Sequence, residues 1–252
     1  MVSRIVAVGD NVVDCYPALE RMFPGGNCIN VSVFARRFGA ASAYVGAIGG
    51  DLAGIAIRQA LEQEGVATER LRVLDGPTAY CVIGHEQGER IFLRSDLGVS
   101  MFEPAEADFA YVRGFDAVHI GQSSGLNAHI ARFAAATRLS YDFSTKHDHP
   151  AFDAVAPHCF LASFSGGGLS EGRALSLLQR GLKAGAQWVL VTRGRQGAIL
   201  GNAETIATVA ARPCTIVDTL GAGDTFIARV LVGLLEGAAP SRFLETAAAV
   251  GA

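Results

Sequence analysis

Residues 218–226 read "DTLGAGDTF" and lead into the apolar run "FIARVLVGLL". Small residues and carboxylates at this spacing admit several chemistries. A Walker phosphate loop needs a Lys and then a Ser or Thr after its glycines; Asp224 and Thr225 stand there instead. A dinucleotide fingerprint needs a third glycine where Phe226 lies, and too little chain follows to complete the βαβ unit. An ordinary helix start with Asp224 as its cap is the plain alternative. Against that, Gly221, Ala222 and Gly223 leave successive backbone N–H groups uncovered at a helix N-terminus, which is an anion site. An ionised Asp224 would repel a passively bound phosphate. Phosphoryl transfer can use the same placement: the carboxylate takes the proton of an attacking hydroxyl while the amides stabilise the moving charge.

Other segments offer complementary groups. In "PGGNCINVSVFARRFG" (24–39), Gly25 and Gly26 would let backbone approach a ligand closely. Asn27 and Asn30 carry amides suited to sugar hydroxyls, although a Gly-Gly turn with Asn27 as helix N-cap reads equally well in isolation. "GDNVVDCYP" (9–17) holds Asp10, Asn11 and Asp14, with Asp10 also readable as a turn residue. In "IGGDLAG" (48–54), Asp51 and Gly54 read as a cap and a helix-packing position. Thr192, Gly194 and Gly197 in "VLVTRGRQGAIL" (189–200) fit a hairpin turn after a buried strand, with Arg193 and Arg195 able to add charge. His147 and His149 lack a third defined metal ligand, and His119 reads as a core or sheet histidine. Metal ligands are not identifiable from the sequence.

The elements that must position these groups follow from periodicity. Strands are expected at 4–9, 43–48, 115–121, 138–143, 159–163 and 187–192. Helices are expected over 30–39 and 52–64, near 126–137 and near 171–184. This alternation implies right-handed crossovers and a mainly parallel sheet, with ligands beyond the carboxyl ends of the strands. Asp142 and Thr192 close two of those strands. "AYCVIG" and "RIFL", separated by "HEQGE", read as a hairpin in a small separate sheet.

Of 252 residues, half are hydrophobic, enough for a sizeable core, and the net charge of −3 gives no electrostatic support for nucleic-acid or acidic-membrane binding. No apolar stretch is long enough to span a bilayer, and the strand-like start is too short for a signal peptide. Five scattered cysteines without C-x-x-C spacing imply reduced thiols, hence a cytoplasmic location.

"DTLGAGDTF" resembles the C-terminal signature of the ribokinase-like (PfkB) sugar kinases, and "PGGNCINVSVFARRFG" resembles their N-terminal one. Within the family, Gly-Asp-Asn-x-x-Asp-x-Tyr-Pro followed by Gly-Gly-Asn, and the Asp-Phe-Ser of "SYDFSTKHDHP", are most similar to the fructoselysine 6-kinases. The resemblance spans nearly the whole chain. It implies one α/β domain over 1–252, a three-layer α/β/α fold with a mainly parallel central sheet. It also implies a small β-sheet lid from segments near 12–23 and 76–98, pairing two copies as a homodimer. It implies ATP and Mg²⁺ as cofactors and transfer of the γ-phosphoryl group to the 6-hydroxyl of a fructosamine such as fructoselysine. Asp224 would be the base and Gly221, Ala222 and Gly223 the anion hole. Asp14 would accept from two sugar hydroxyls, beside Asn11, Gly25, Gly26, Asn27 and Asn30, with Gln122 near the sugar and Arg94 able to clamp a substrate carboxylate. Thr192, Gly194, Gly197, Thr219, Gly221 and Gly223 would line ATP.

Two departures from the family pattern stand out. The Asn-x-x-Glu motif that organises Mg²⁺ in many relatives is missing from "LASFSGGGLSEG" (161–172), where Ser163 takes the Asn position and Glu171 is too distant. The sequence ends at "FLETAAAVGA", where relatives continue, so weaker ATP binding is an expectation. The competing classes are a kinase of a plain ketose, a ribose-like sugar or a keto-sugar acid, a catalytically weak sugar-binding relative, and a nicotinamide-dependent dehydrogenase with only Gly221 and Gly223 in its favour.

Overall fold

The structure is a computed structural model that describes residues 2–86, 89–212 and 221–250. The chain opens with β1 (Arg4–Val8), β2 (Val12–Tyr16), β3 (Arg21–Gly25), α1 (Asn27–Arg37), β4 (Ala41–Gly49), α2 (Leu52–Gln63) and β5 (Ala67–Leu74). It continues with β6 (Tyr80–Glu86), β7 (Glu89–Asp96), α3 (Glu106–Val112), β8 (Ala117–Gly121), α4 (Ile130–Ala136), β9 (Arg138–Asp142), α5 (Phe152–Val155) and β10 (Cys159–Ser165). It closes with α6 (Glu171–Lys183), β11 (Trp188–Thr192), β12 (Ala198–Gly201), β13 (Ile206–Val209), α7 (Ala222–Leu235) and α8 (Pro240–Val250).

Among the described residues, nine strands form one sheet in the order β13-β12-β11-β10-β9-β8-β1-β4-β5, and β3-β2-β6-β7 form a second. From β11 to β5 the large sheet is parallel; β12 and β13 run antiparallel at its edge. The chain builds outward from β1 in both directions, through β4 and β5 on one side and β8 to β11 on the other. The strand order therefore reverses beside β1, and in sheets of this kind that reversal places a crevice beyond the carboxyl ends of the flanking strands, here β1 and β8.

Helices cover both faces. Val6, Val118, Ile120, Leu139, Tyr141, Ala162 and Phe164 point into the core beneath α3 to α6. The opposite parity, with Ile5, Ala117 and Leu161, packs against α1, α7 and α8. Burial on both faces makes β4 a near-continuous apolar run, buried from Ser42 to Gly49. Helix α2 is legible for local reasons: Asp51 caps it by accepting from the Gly54 N–H at 2.8 Å, and Ile57 and Leu61 bury one face.

The structure revises several sequence expectations. Helix α1 begins at Asn27, not Asn30, with Gly26 as its N-cap. Helix α4 covers only Ile130–Ala136, preceded by a 3₁₀ turn. Strands β2 and β3 supply the segment near 12–23 expected to join the small sheet, whereas β5 and β13 carry no strand signal in the sequence. Of β5 only Leu71 is buried, because it is the sheet's edge and its outward face is polar.

That edge is fastened electrostatically. The Asp108 carboxylate at the start of α3 is fully buried and accepts from Arg70 Nε at 2.9 Å, from Arg72 Nη2, and from the Ala105 N–H. Removing its charge leaves two partly buried guanidinium groups unpaired. Asp108→Asn is expected to lower unfolding free energy by about 2–4 kcal/mol, read from urea denaturation, with the two arginines' partial exposure keeping it at or below the usual cost of a broken buried pair.

Candidate active site

Helix α7 starts from Gly221, whose φ of 78° lies in the left-handed region that glycine adopts without strain. Asp224 is thus a residue of the first helical turn, not the cap. Thr225 closes that turn, its N–H and hydroxyl both donating to the Gly221 carbonyl at 2.8 Å. Among the described residues nothing lies within 4 Å of where a Cβ on Gly223 would stand, so none of them covers the helix N-terminus on that side.

Helix α1 packs against α7 and presents two amides to Asp224. Asn27 Nδ2 donates to Asp224 Oδ1 and Asn30 Nδ2 to Oδ2, each at 2.8 Å. The structure therefore brings together Asn27, Asn30, Gly221 and Asp224. Burial pushes the Asp224 carboxyl up to about 6; the Asn30 and Asn27 hydrogen bonds oppose the rise and the charge of Asp10 adds to it.

A second carboxylate shares the Asn27 amide. Asp142, at the end of β9, accepts from Asn27 Nδ2 at 3.1 Å through Oδ2. Its Oδ1 accepts from the Ser163 hydroxyl at 3.0 Å and the Ser144 N–H at 3.1 Å. Burial, then the charge of Asp224, pushes it up to about 7. Ser163 thus supports a carboxylate.

The amide's oxygen faces the sheet. His119 Nε2 lies 2.9 Å from Asn27 Oδ1, and His119 Nδ1 lies 2.9 Å from Ser140 Oγ on the neighbouring strand. His119 is fully buried, as a sheet histidine would be, and burial pulls it down to about 3, so the ring is neutral. Gly121 makes room, since a methyl group there would collide with Asn27 Oδ1.

The entry to α1 is braced by Asp10. Its Oδ2 accepts from the Asn27 N–H at 3.1 Å and its Oδ1 from the Ser124 hydroxyl at 2.9 Å. Gly26 combines a φ of 106° with an approach in which a Cβ would come within 2.9 Å of Asn11 Cα. Asn11 is more occupied than expected: its amide nitrogen donates to the Ala47 carbonyl at 2.7 Å and the Tyr44 hydroxyl at 3.1 Å, and only its buried Oδ1 lacks a partner among the described residues.

Asp14 lies in β2 of the small sheet, buried, with Oδ2 2.7 Å from where a Cβ on Gly25 would stand. Gln122 follows β8 at the crevice, half-buried. Arg94 is exposed on β7, its guanidinium 5.6 Å from the Tyr80 ring centroid. Thr192, Gly194 and Gly197 form the β11–β12 turn at the same sheet edge, where Gly197 has a φ of 86° against the Val209 carbonyl. Thr219 lies outside the described residues. His147 Nε2 is engaged by the Ser165 carbonyl and His149 Nδ1 accepts from the Ala151 N–H. Among the described residues, no group of three or more His, Cys, Asp or Glu could hold a metal ion. His119, Ser124 and Ser140 carry no site assignment from the sequence, while Asp10 and Asp142 stand there beside the expected cleft without a defined role. The available signal is their parity: His119, Ser140, Asp142 and Ser163 are polar side chains on one face of apolar strands.

The raised carboxyls have a thermodynamic consequence. A native pKa near 6 or 7 against an ordinary 3.8 means the folded state holds extra protons between these values. Their stabilising contribution is complete below about pH 4 and is lost as pH rises through 7. Asp142→Asn should therefore gain stability relative to the unaltered protein between pH 4 and pH 8, on the order of 2 kcal/mol, read as the pH dependence of the urea midpoint difference.

The pfkB family carbohydrate kinase model matches residues 3–252. The chain is 37% identical to fructosamine kinase FrlD of Bacillus subtilis, covering 90% of this chain and 82% of that protein. It is 33% identical to fructoselysine 6-kinase of Escherichia coli over 92% of this chain and 89% of that one. Among solved structures, Arabidopsis thaliana ribokinase complexed with ribose and ATP superimposes with a TM-score of 0.87 at 23% identity, covering 100% of this chain and 92% of that one. The fold is ribokinase-like, and the chain belongs to the PfkB family of carbohydrate kinases.

Proposed function

We propose that the protein transfers the γ-phosphoryl group of ATP to the 6-hydroxyl of a fructosamine such as fructoselysine. The observation that carries this reading is the Asp224 carboxylate, held by two asparagine amides in the first turn of α7. The similarity to relatives named for fructosamine and fructoselysine supports the acceptor class.

In this mechanism the sugar lies between Asp14, Gly26, Asn27 and Asn30, with its primary hydroxyl at Asp224. Asp224 removes the hydroxyl proton as the oxygen attacks the γ-phosphorus in line. The bond from that phosphorus to the bridging oxygen breaks, ADP leaves with the electron pair, and the proton later passes to solvent. The N–H groups at Gly221, Ala222 and Gly223 stabilise the charge on the transferring oxygens. A base near pH 6 is ionised at neutral pH and still basic enough to accept a proton.

ATP would extend from that helix end toward Thr192, Gly194 and Gly197, with Thr219 on the same path. Arg193, whose buried Nε lacks a partner among the described residues, supports a phosphate nearby. Mg²⁺ supplies counter-charge to ATP and would draw its ligands chiefly from the phosphates. The four-stranded sheet acts as a lid that excludes water. Exposed Met22, Phe23 and Leu93 on it support pairing of two copies through that sheet. Arg94 would clamp the carboxylate of the glycated amino acid, with Gln122 near the sugar.

Asp224→Asn is expected to keep sugar binding within about threefold by calorimetry while turnover falls at least roughly a thousandfold. Near-normal turnover would refute the assigned base. An ATP-coupled screen of fructoselysine, other glycated amino acids, fructose and ribose tests the acceptor; turnover of plain sugars alone would exclude a fructosamine kinase.

A further inference from the structure

The Asn27 amide works in one orientation only. With Nδ2 toward Asp224 and Asp142 it donates to both. Reversed, it would aim a carbonyl oxygen at two buried carboxylates. The two carboxylates therefore favour the first orientation, and a group that donates to the amide oxygen reinforces it.

That group is His119, 2.9 Å from Asn27 Oδ1. A neutral imidazole has one N–H. If it sits on Nε2, the ring donates to Asn27 Oδ1 and fixes the amide. If it sits on Nδ1, a nitrogen lone pair faces the amide oxygen and favours the reversed amide. The Asn27 oxygen can only accept, so with the amide turned by the two carboxylates the ring carries its proton on Nε2, and the Ser140 hydroxyl, which can serve either tautomer, answers one strand further on. With Nε2 donating, Nδ1 accepts, and the Ser140 hydroxyl at 2.9 Å donates to it. His119 and Ser140 are register partners on β8 and β9, so the sheet sets this contact.

We propose that His119, donating from Nε2 to Asn27 Oδ1 and accepting from the Ser140 hydroxyl at Nδ1, is a positioning residue that holds the Asn27 amide in place and thereby keeps its hydrogen bond to Asp224. The inference rests on Asp224 being the base of the reaction. The relay runs Ser140 hydroxyl to His119 Nδ1, His119 Nε2–H to Asn27 Oδ1, and Asn27 Nδ2–H to Asp224 and Asp142. His119 touches neither substrate nor the reacting atoms. The charged groups set against Asp224 among the described residues are Asp142 and Asp10, and both favour its protonated form. The Asn27 and Asn30 hydrogen bonds oppose them. Losing the donor from Asn27 therefore raises the proton affinity of Asp224.

The test follows the ¹³C carboxyl titration of Asp224 without sugar or nucleotide, its signal assigned by loss in Asp224→Asn. In His119→Leu the titration should move up by about one pH unit, the order expected for losing one hydrogen bond to a carboxylate. His119→Gln, whose side-chain amide can still donate to Asn27, should restore it to near the unaltered value. Ser140→Ala should shift it upward by less. A cooperatively melting His119→Leu protein with an unmoved Asp224 would overturn the proposal, as would His119→Gln shifted as far as His119→Leu. Should His119→Leu fail to melt cooperatively, an unmoved titration in Ser140→Ala overturns it. The readout needs no acceptor, so a wrong sugar assignment leaves it intact. Once an acceptor is established, the acid limb of kcat against pH should shift with the carboxyl titration.

Discussion

Two carboxylates buried side by side repel each other and are starved of water, and one side-chain amide answers for both. Asn27 donates one hydrogen to Asp224 and the other to Asp142. Leaving either carboxylate buried and unpaired would cost several kcal/mol. Asn30, Ser163 and the Ser144 N–H supply the remaining donors. The site is therefore a hydrogen-bonded network whose charge is tuned by donors.

That network can exist only where three adjacent parallel strands turn the same face toward the packed pair α1 and α7. His119, Ser140, Asp142 and Ser163 share a strand parity, and the register aligns His119 with Ser140 and Asp142 with Ser163. The other parity is apolar and feeds the core beneath α3 to α6. One polar seam thus crosses an otherwise greasy sheet, near the place where the strand order reverses. The reversal supplies the crevice, Gly121 supplies space for the amide oxygen, and Gly26 lets the start of α1 settle onto the segment after β1.

The sequence made some of this plain and hid the rest for identifiable reasons. Helices α2 and α6 and strand β4 carry local signals, either a cap with a periodic face or an unbroken apolar run. The hairpin of β6 and β7 was legible from its alternation and turn. Strands β5 and β13 were not, because edge strands bury few residues and lack the apolar signature. Strand β2 contains Asp14, and β3 contains Pro24, residue types that argue against strands in isolation. In the site, Asn27, Asn30 and Asp224 stood out because glycines flank them. His119 read correctly as a sheet histidine, yet its partner could not be read, since that contact spans 92 residues and depends on strand register.

The bonds that join α1 to α7 span 197 and 194 residues. Ribosomes release the amino-terminal part first, and closing so long a loop is entropically slow to reward. While the chain is being made, Asn27, His119 and Asp142 can be in place with Asp224 not yet synthesised. A partly made chain thus lacks the carboxylate that completes this network. The network closes only when the carboxyl-terminal third of the chain docks onto the amino-terminal helix, so the two ends of the sequence are locked together by the same few hydrogen bonds.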